Sequence, residues 1–215
     1  MKIFYLEHLK LRKKTRNWLG PILVFSLIMI AYPLTVEFLQ TNLEKGFYSL
    51  LWISILLSMM LATEDIFLED FSDGTLEQTI ISNTSFPLLI AKKIFIYWLM
   101  IGVPISFLSF LFSLSLTQDS HLSLSIFPLS VVSSYIFLNL FVFGNALSLN
   151  KGSVLGAIIT MPLALPVLII LGKSVIAIEF GINYVEFLLL LLGILSIIIT
   201  IVPFIISYVI KAHLE

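Results

Sequence analysis

The chain has 215 residues, of which 59% are hydrophobic and only 12% are charged. A water-soluble protein needs about a quarter of its residues charged to cover its surface, so this composition excludes a soluble domain and predicts an integral membrane protein. The absence of cysteine excludes disulfides, thiolate nucleophiles and cysteine-ligated metal sites. The formal net charge of −1 gives no indication of nucleic-acid binding, because the positions of charges matter more than their sum in a membrane protein.

Six uncharged stretches are long enough to cross a bilayer as helices. A spanning helix needs about 20 mostly apolar residues, and the lack of alternating polarity argues against a β-barrel. We expect the fourth helix to begin near Ile126, because its stretch is longer than a span requires. The sequence thus predicts one all-α domain over residues 1–215, with six transmembrane helices. The six stretches are 18–36, 46–63, 94–116, 122–150, 152–172 and 187–210.

Ten of the twelve Lys and Arg residues lie on one side of this arrangement. By the positive-inside rule, both termini should therefore face the cytoplasm. Only Lys45 and Lys173 fall on the other side, where the expected connections are short: 41–45, 118–123 and 173–184. Residues 1–17 should form a cytoplasmic interfacial segment, which is either an amphipathic helix lying in the interface or a simple basic anchor.

The connection between the second and third spans, residues 64–87, is unusually acidic for the cytoplasmic side. It carries six of the thirteen acidic residues of the chain. Four of the six, at positions 64, 65, 69 and 70, are expected to face water. The six residues are Glu64, Asp65, Glu69, Asp70, Asp73 and Glu77.

The same connection carries a helical pattern. Phe67 and Phe71 are spaced by four, which predicts that the second helix continues past the membrane with an aromatic stripe beneath it. Residues 72–74 should break this helix, and Thr75 with Gln78 matches a capping box that starts a short second helix. A solvated acidic loop is the alternative interpretation. The pattern favours a docking element, because a loop that needs only solubility gains nothing from a capped helix with an apolar stripe.

These residues resemble the B-type permease of the cytochrome c maturation system, a family also called haem exporter protein B. In the acidic connection, the resemblance rests on Glu64, Phe67, Asp70, Asp73, Gly74, Leu76, Glu77 and Gln78. It continues at Pro87, Lys93, Trp98, Gly102 and Pro104, at residues 150–152, and at Pro162 and Pro166. The resemblance covers most of the chain and agrees with its length and number of spans.

The resemblance implies a permease of the ATP-binding cassette type, which pairs with a separate cytoplasmic ATPase subunit. It also implies work beside a haem-handling membrane protein and a haem chaperone. In such a complex the chain would couple ATP hydrolysis to haem export or to release of the haem-loaded chaperone. The implied location is a bacterial inner membrane, with the mitochondrial inner membrane as the alternative.

The residues themselves limit what the chain can do alone. It contains no GxxxxGK[ST] phosphate-binding loop, so ATP would act only through a partner. His8, His121 and His213 lie outside the spans, which argues against direct haem ligation. The spans contain no ionisable cluster for an enzyme or a proton-coupled carrier. We therefore expect no catalytic residue, no metal site, no directly bound cofactor and no nucleic-acid partner.

Three prolines within predicted spans are candidates for a hinge. Pro104, Pro162 and Pro166 each remove a backbone hydrogen bond and tend to kink their helix. They could be static kinks that neighbouring helices tolerate. The hinge interpretation is suggested by Pro162 and Pro166, which lie about one turn apart on the same face.

Residues 64–82 are predicted to dock into a groove of the ATPase. Leu76 and Ile80 would be the apolar anchors. The acids that would meet basic residues of the partner are Asp70, Asp73 and Glu77. Two alternatives remain open: a stand-alone channel or secondary carrier, and a non-transporting scaffold of the haem-handling complex.

Overall fold

The computed structural model describes residues 15–37, 43–81, 85–149 and 153–214. Within these ranges the backbone is helical apart from short turns, and no strand is present, so the predicted all-α class is confirmed. Most of the predicted N-terminal interfacial segment, residues 1–14, lies outside the described residues. The helices are α1 (Thr15–Glu37), α2 (Leu43–Thr63), α3 (Leu68–Ser72), α4 (Thr75–Ile81), α5 (Phe86–Tyr97), a π-helical turn (Trp98–Gly102), α6 (Val103–Thr117), α7 (Ser120–Leu147), α8 (Ser153–Glu179) and α9 (Val185–Leu214).

Six helical stretches in the described ranges are long and apolar enough to cross a membrane, as predicted. The third consists of α5, the π-helical turn and α6 in succession. Since successive crossings alternate in direction, one end of the bundle is shared by the start of α1, residues 64–81, the start of α5, the end of α7, the start of α8 and the end of α9. We call it the acidic end. The six stretches are Thr15–Thr35, Gly46–Ser72, Phe86–Thr117, Ser120–Leu147, Leu155–Glu179 and Val185–His213.

Two predicted boundaries are wrong. The fourth helix begins at Ser120 rather than near Ile126, because the Asp119 carboxylate caps its first turn. This carboxylate accepts hydrogen bonds from the backbone N–H groups of His121 at 2.9 Å and Leu122 at 3.2 Å. The connection expected over 173–184 is shorter, since α8 continues to Glu179 and carries Lys173 as an exposed residue.

Helix α7 is the centre of the bundle. It packs against α2, α6, α8 and α9, and most of its spanning stretch is buried inside the chain. Little of the spanning stretches of α1, α8 and α9 is buried inside the chain. Their outer faces carry leucine and isoleucine, which a bilayer solvates and water does not.

The backbones of α7 and α8 touch where Gly144 faces Gly156. A Cβ atom on Gly144 would lie 2.5 Å from the Gly156 carbonyl oxygen and 2.7 Å from Cγ2 of Thr160. A Cβ atom on Gly156 would in turn collide with the Gly144 backbone. Small residues allow this close approach, which is a common way of packing membrane helices.

A line of serines, which we call the serine seam, joins α6 to α7. The hydroxyl oxygens of Ser113 and Ser123 are 3.1 Å apart, and those of Ser106 and Ser134 are 3.4 Å apart. The Tyr48 hydroxyl of α2 lies 3.3 Å from that of Ser113. Hydroxyl pairs of this kind hold membrane helices together without a hydrophobic driving force.

Candidate functional site

Residues 64–81 fold into a turn and two short helices at the acidic end. Helix α2 ends at Thr63, a turn follows, and α3 and α4 are separated by Asp73 and Gly74. Gly74 has a φ of +69°, a backbone conformation that residues with a Cβ atom rarely adopt. The predicted break is thus present at Asp73 and Gly74, whereas Ser72 is still helical. The predicted continuation of the second helix is wrong in one respect, because a turn at residues 64–67 separates α2 from α3. We call residues 64–81 the acidic element.

Helix α4 does not begin with the predicted capping box. Thr75 is its first helical residue, and the Thr75 hydroxyl donates to the backbone carbonyl oxygen of Asp70 at 3.0 Å. The backbone N–H of Gln78 donates to the carbonyl oxygen of Gly74 at 3.2 Å. Gly74 therefore precedes the helix, and the threonine hydroxyl ties α4 to α3 instead of capping α4.

Asp70 does not face water, contrary to the prediction. Its carboxylate forms an ion pair with the Lys93 ammonium of α5, and the two side chains are only 15% and 12% exposed. The Lys93 Nζ also lies 5.6 Å from the centroid of the Phe67 ring, which is buried. One face of α3 is thereby fastened to α5. Sequence reasoning missed this contact, since 23 residues separate Asp70 from Lys93.

Two further contacts hold the start of the acidic element. Asn145 of α7 donates from Nδ2 to the carbonyl oxygen of Thr63 at 2.7 Å, and this bond is buried. Arg16 of α1 lies 3.8 Å from the Asp65 carboxylate, but its side chain is almost fully exposed. An exposed ion pair contributes little to stability, so the Asn145 bond is the stronger restraint.

The residues predicted to dock a partner divide into a buried and an exposed set. Glu64, Asp73, Glu77 and Gln78 are exposed. Phe67, Asp70 and Leu76 pack inside the chain, and Ile80 is half-buried against the core. Leu76 is therefore not available as an anchor for a partner, because it fills the interior of this chain, and Ile80 is only partly accessible.

The exposed side of the acidic element includes residues that sequence reasoning did not select. Leu68 is 50% exposed and Ile81 is 81% exposed, and Glu69 is exposed on the same short helix as Leu68. Exposed apolar side chains with polar residues around them are a feature of contact surfaces. We call this set the docking face. It consists of Leu68, Glu69, Asp73, Glu77, Gln78 and Ile81.

Two crevices flank the acidic element. One, of about 240 Å³, separates it from the first turns of α1 and is lined by Arg16, Pro21 and Asp65 among others. The other, of about 170 Å³, lies between Glu64 and Asn145. In the part of the chain that the structure describes, no three His, Asp or Glu side chains are grouped so that they could hold a metal ion.

Pro104 lies directly after the π-helical turn. In a regular α-helix its ring would collide with the carbonyl of Met100, four residues earlier, and the wider π-helical turn relieves this collision. The Trp98 indole N–H donates to the Ser134 hydroxyl at 3.1 Å, and its ring lies 4.9 Å from that of Tyr135. The turn is thereby attached to α7.

Pro162 and Pro166 lie inside α8, with exposed side chains. The helix continues through both residues to Glu179. Pro162, Pro166 and Pro104 remain predicted hinge positions.

Comparison with known proteins gives a consistent result. The CcmB protein family matches residues 1–213. The chain is 27% identical over 205 residues to "Heme exporter protein B" of Haemophilus influenzae, covering 94% of this chain and 93% of that protein. It is 31% identical over 195 residues to the protein of that name from Pseudomonas aeruginosa, covering 87% and 85%. A third, from Paracoccus denitrificans, is 29% identical over 184 residues, covering 81% and 82%.

Proposed function

The chain belongs to the CcmB protein family, and we propose that it is the permease subunit of an ATP-binding cassette complex in cytochrome c maturation. Membership of this family supports a role as a multi-pass membrane component of haem export. The finer proposal concerns mechanism. A separate ATPase subunit would bind the acidic element, and its hydrolysis of ATP would drive haem export or release of a haem-loaded chaperone by a neighbouring haem-handling protein.

The observation that carries this proposal is the rigid attachment of the acidic element to the spans. Buried contacts hold it at Thr63, where Asn145 binds the end of α2, and at Asp70, which pairs with Lys93 of α5. A motor outside the membrane needs an element of this kind, because a flexible loop would absorb a displacement instead of passing it on. ATP would be bound by the partner, and haem by the other members of the complex.

We place the acidic end in the cytoplasm of a bacterium, with the protein in the inner membrane. Arg16, Lys92, Lys93 and Lys211 are at this end, whereas Lys173 is near the other. The positive-inside rule assigns the lysine-rich and arginine-rich end to the cytoplasm, where an ATPase subunit finds its nucleotide.

The docking face should meet a basic surface with small apolar depressions. Asp70 is already paired with Lys93, so the charge offered to a partner comes from the exposed acids Asp73 and Glu77. Leu68 and Ile81 would enter the depressions. Charge complementarity at such a surface steers and orients the partner, while the buried apolar contacts hold it.

The test is recovery of the ATPase with this protein from native membranes in mild detergent. Asp73→Lys combined with Glu77→Lys should lower recovery of the ATPase about tenfold or more. A loss of ~1.4 kcal/mol in binding free energy already lowers the affinity tenfold, and repulsion between like charges costs more than that. The matched control makes the same charge change at the opposite end, with Glu179→Lys and Glu186→Lys, which are both exposed. Undiminished recovery with the first double variant would contradict the docking face.

The same purification addresses the two alternatives. A protein recovered without any ATPase would favour a stand-alone channel or carrier. A complex whose ATPase binds but whose hydrolysis never changes the far end of the bundle would favour a scaffold.

A further inference from the structure

We infer that Lys93 is a positioning residue that makes the acidic element and α5 move as one body. The π-helical turn Trp98–Gly102 is the joint between that body and α6. The inference rests on the proposed function only for the source of the movement, the partner ATPase. The attachment and the joint are properties of this chain alone.

Lys93 contacts the acidic element at two points, one in α3 and one in the turn just before it. Its ammonium pairs with the Asp70 carboxylate, and it lies over the face of the Phe67 ring, three residues earlier. Both interactions occur in a largely buried setting, where a cation attracts a carboxylate and an aromatic face more strongly than it does in water. Removal of one partner leaves an uncompensated buried charge, so the contact is held firmly in the folded protein.

Apolar packing alone would hold the element less specifically. Leu76 of α4 and Phe71 of α3 reach the core, but apolar contacts have no preferred direction and tolerate sliding. The ion pair with Asp70 restricts the distance between α3 and α5, and the contact with the Phe67 ring adds a second fixed point. Two points of contact together restrict the orientation. Lys93 thus determines how α3 is oriented on α5. Lys92, its neighbour in sequence, is exposed and makes a matched control.

The joint is where α5 ends. The π-helical turn interrupts the regular hydrogen-bond pattern of the third span, and Pro104 removes a further backbone donor just beyond it. The indole of Trp98 attaches this turn to Ser134 of α7. The turn is therefore anchored to α7 at the centre of the bundle. On the side of the turn nearer the acidic end, α5 carries the acidic element through Lys93.

The attachment can be measured without any partner, because the chain has no cysteine and accepts paired spin labels without background. Labels at Ser72→Cys and Leu88→Cys report the distance from the acidic element to α5. Labels at Leu88→Cys and Leu111→Cys report the distance across the joint. All three side chains are exposed.

In lipid nanodiscs, we expect one narrow distance peak for the 72–88 pair and a broader distribution for the 88–111 pair. Lys93→Met should broaden the 72–88 peak, Lys93→Arg should restore it, and Lys92→Met should leave it unchanged. Lys93→Gln replaces Lys93→Met if the latter does not fold, with the same expectation. An unchanged 72–88 peak without the Lys93 cation would overturn the attachment, and equally narrow peaks for both pairs would overturn the joint.

A second experiment adds the co-purified ATPase and a non-hydrolysable ATP analogue. The 88–111 distance should shift, while the 72–88 distance stays constant. A shift confined to the 72–88 pair would contradict movement as one body. Failure of the ATPase to bind the unaltered protein would refute the proposed function and leave the partner-free result to decide the attachment and the joint.

Discussion

Replacing Gly144 by alanine should destabilise the protein, although alanine normally favours a helix. Gly144 lies within α7, where alanine is preferred over glycine by about 1 kcal/mol. The new Cβ atom would, however, lie 2.5 Å from the Gly156 carbonyl oxygen, about 1 Å closer than van der Waals contact allows. A carbonyl in a helix cannot move independently, so α7 and α8 must separate.

The magnitude follows from these two opposing effects. Overpacking of this kind costs about 1–3 kcal/mol, and it exceeds the helix preference where the colliding atoms belong to the backbone. We expect a net loss of up to about 2 kcal/mol for Gly144→Ala. Gly172→Ala in α8 is the matched control, because a Cβ atom there meets nothing within 4 Å. The free energy of unfolding of this control variant should rise by up to about 1 kcal/mol.

The assay is thermal unfolding of both variants in the same detergent. Unfolding is monitored as the loss of monodisperse protein on gel filtration. The two substitutions are chemically identical, but only the Cβ atom at position 144 meets another helix. They should therefore move the unfolding midpoint in opposite directions. If Gly144→Ala stabilises the protein as much as Gly172→Ala does, the close contact of α7 and α8 is not present in solution.

Three other substitutions test individual contacts. Gly74→Ala should destabilise the acidic element by about 1–2 kcal/mol because of its positive φ, and an unchanged unfolding midpoint would contradict the turn. Asp119→Ala should increase hydrogen exchange at the His121 and Leu122 amides, with recovery in Asp119→Ser; equal exchange in all three proteins would exclude the cap. Asn145→Ala should cost about 1 kcal/mol by removing the bond to the Thr63 carbonyl, and an unchanged unfolding midpoint would count against that bond.

The spans and the break at Gly74 could be predicted because local patterns determine them. Long uncharged runs indicate spanning helices whatever their neighbours are, and glycine at a positive φ follows from sterics. The start of α7 is different, because the length of an apolar run does not show where a helix begins. The Asp119 cap does show this. The lengths of the uncharged runs therefore predicted the number of spanning helices but not where the fourth helix begins.

The composition of the docking face could not be predicted, because it depends on tertiary contacts. Periodicity correctly places Leu76 on an apolar face, but it does not show whether that face is covered by this chain or by a partner. Asp70 belongs to a run of acids, yet its partner Lys93 lies two helices further along the chain. Burial of these residues shifts the expected contact surface to Leu68 and Ile81.

The serine seam has a mechanical consequence. The hydroxyls of Ser106 and Ser123 also donate to carbonyl oxygens four residues back in their own helices, at 2.8 Å and 2.7 Å. If α6 slides along α7, the bonds between the helices break while the hydroxyls of Ser106 and Ser123 keep their backbone partners, so these two polar groups are not left unpaired in hydrocarbon. Tightly interlocked leucines would oppose the same displacement through steric overlap. The seam therefore joins α6 to α7 through bonds whose loss leaves the Ser106 and Ser123 hydroxyls satisfied within their own chain segments, so breaking these contacts costs less than exposing unpaired polar groups.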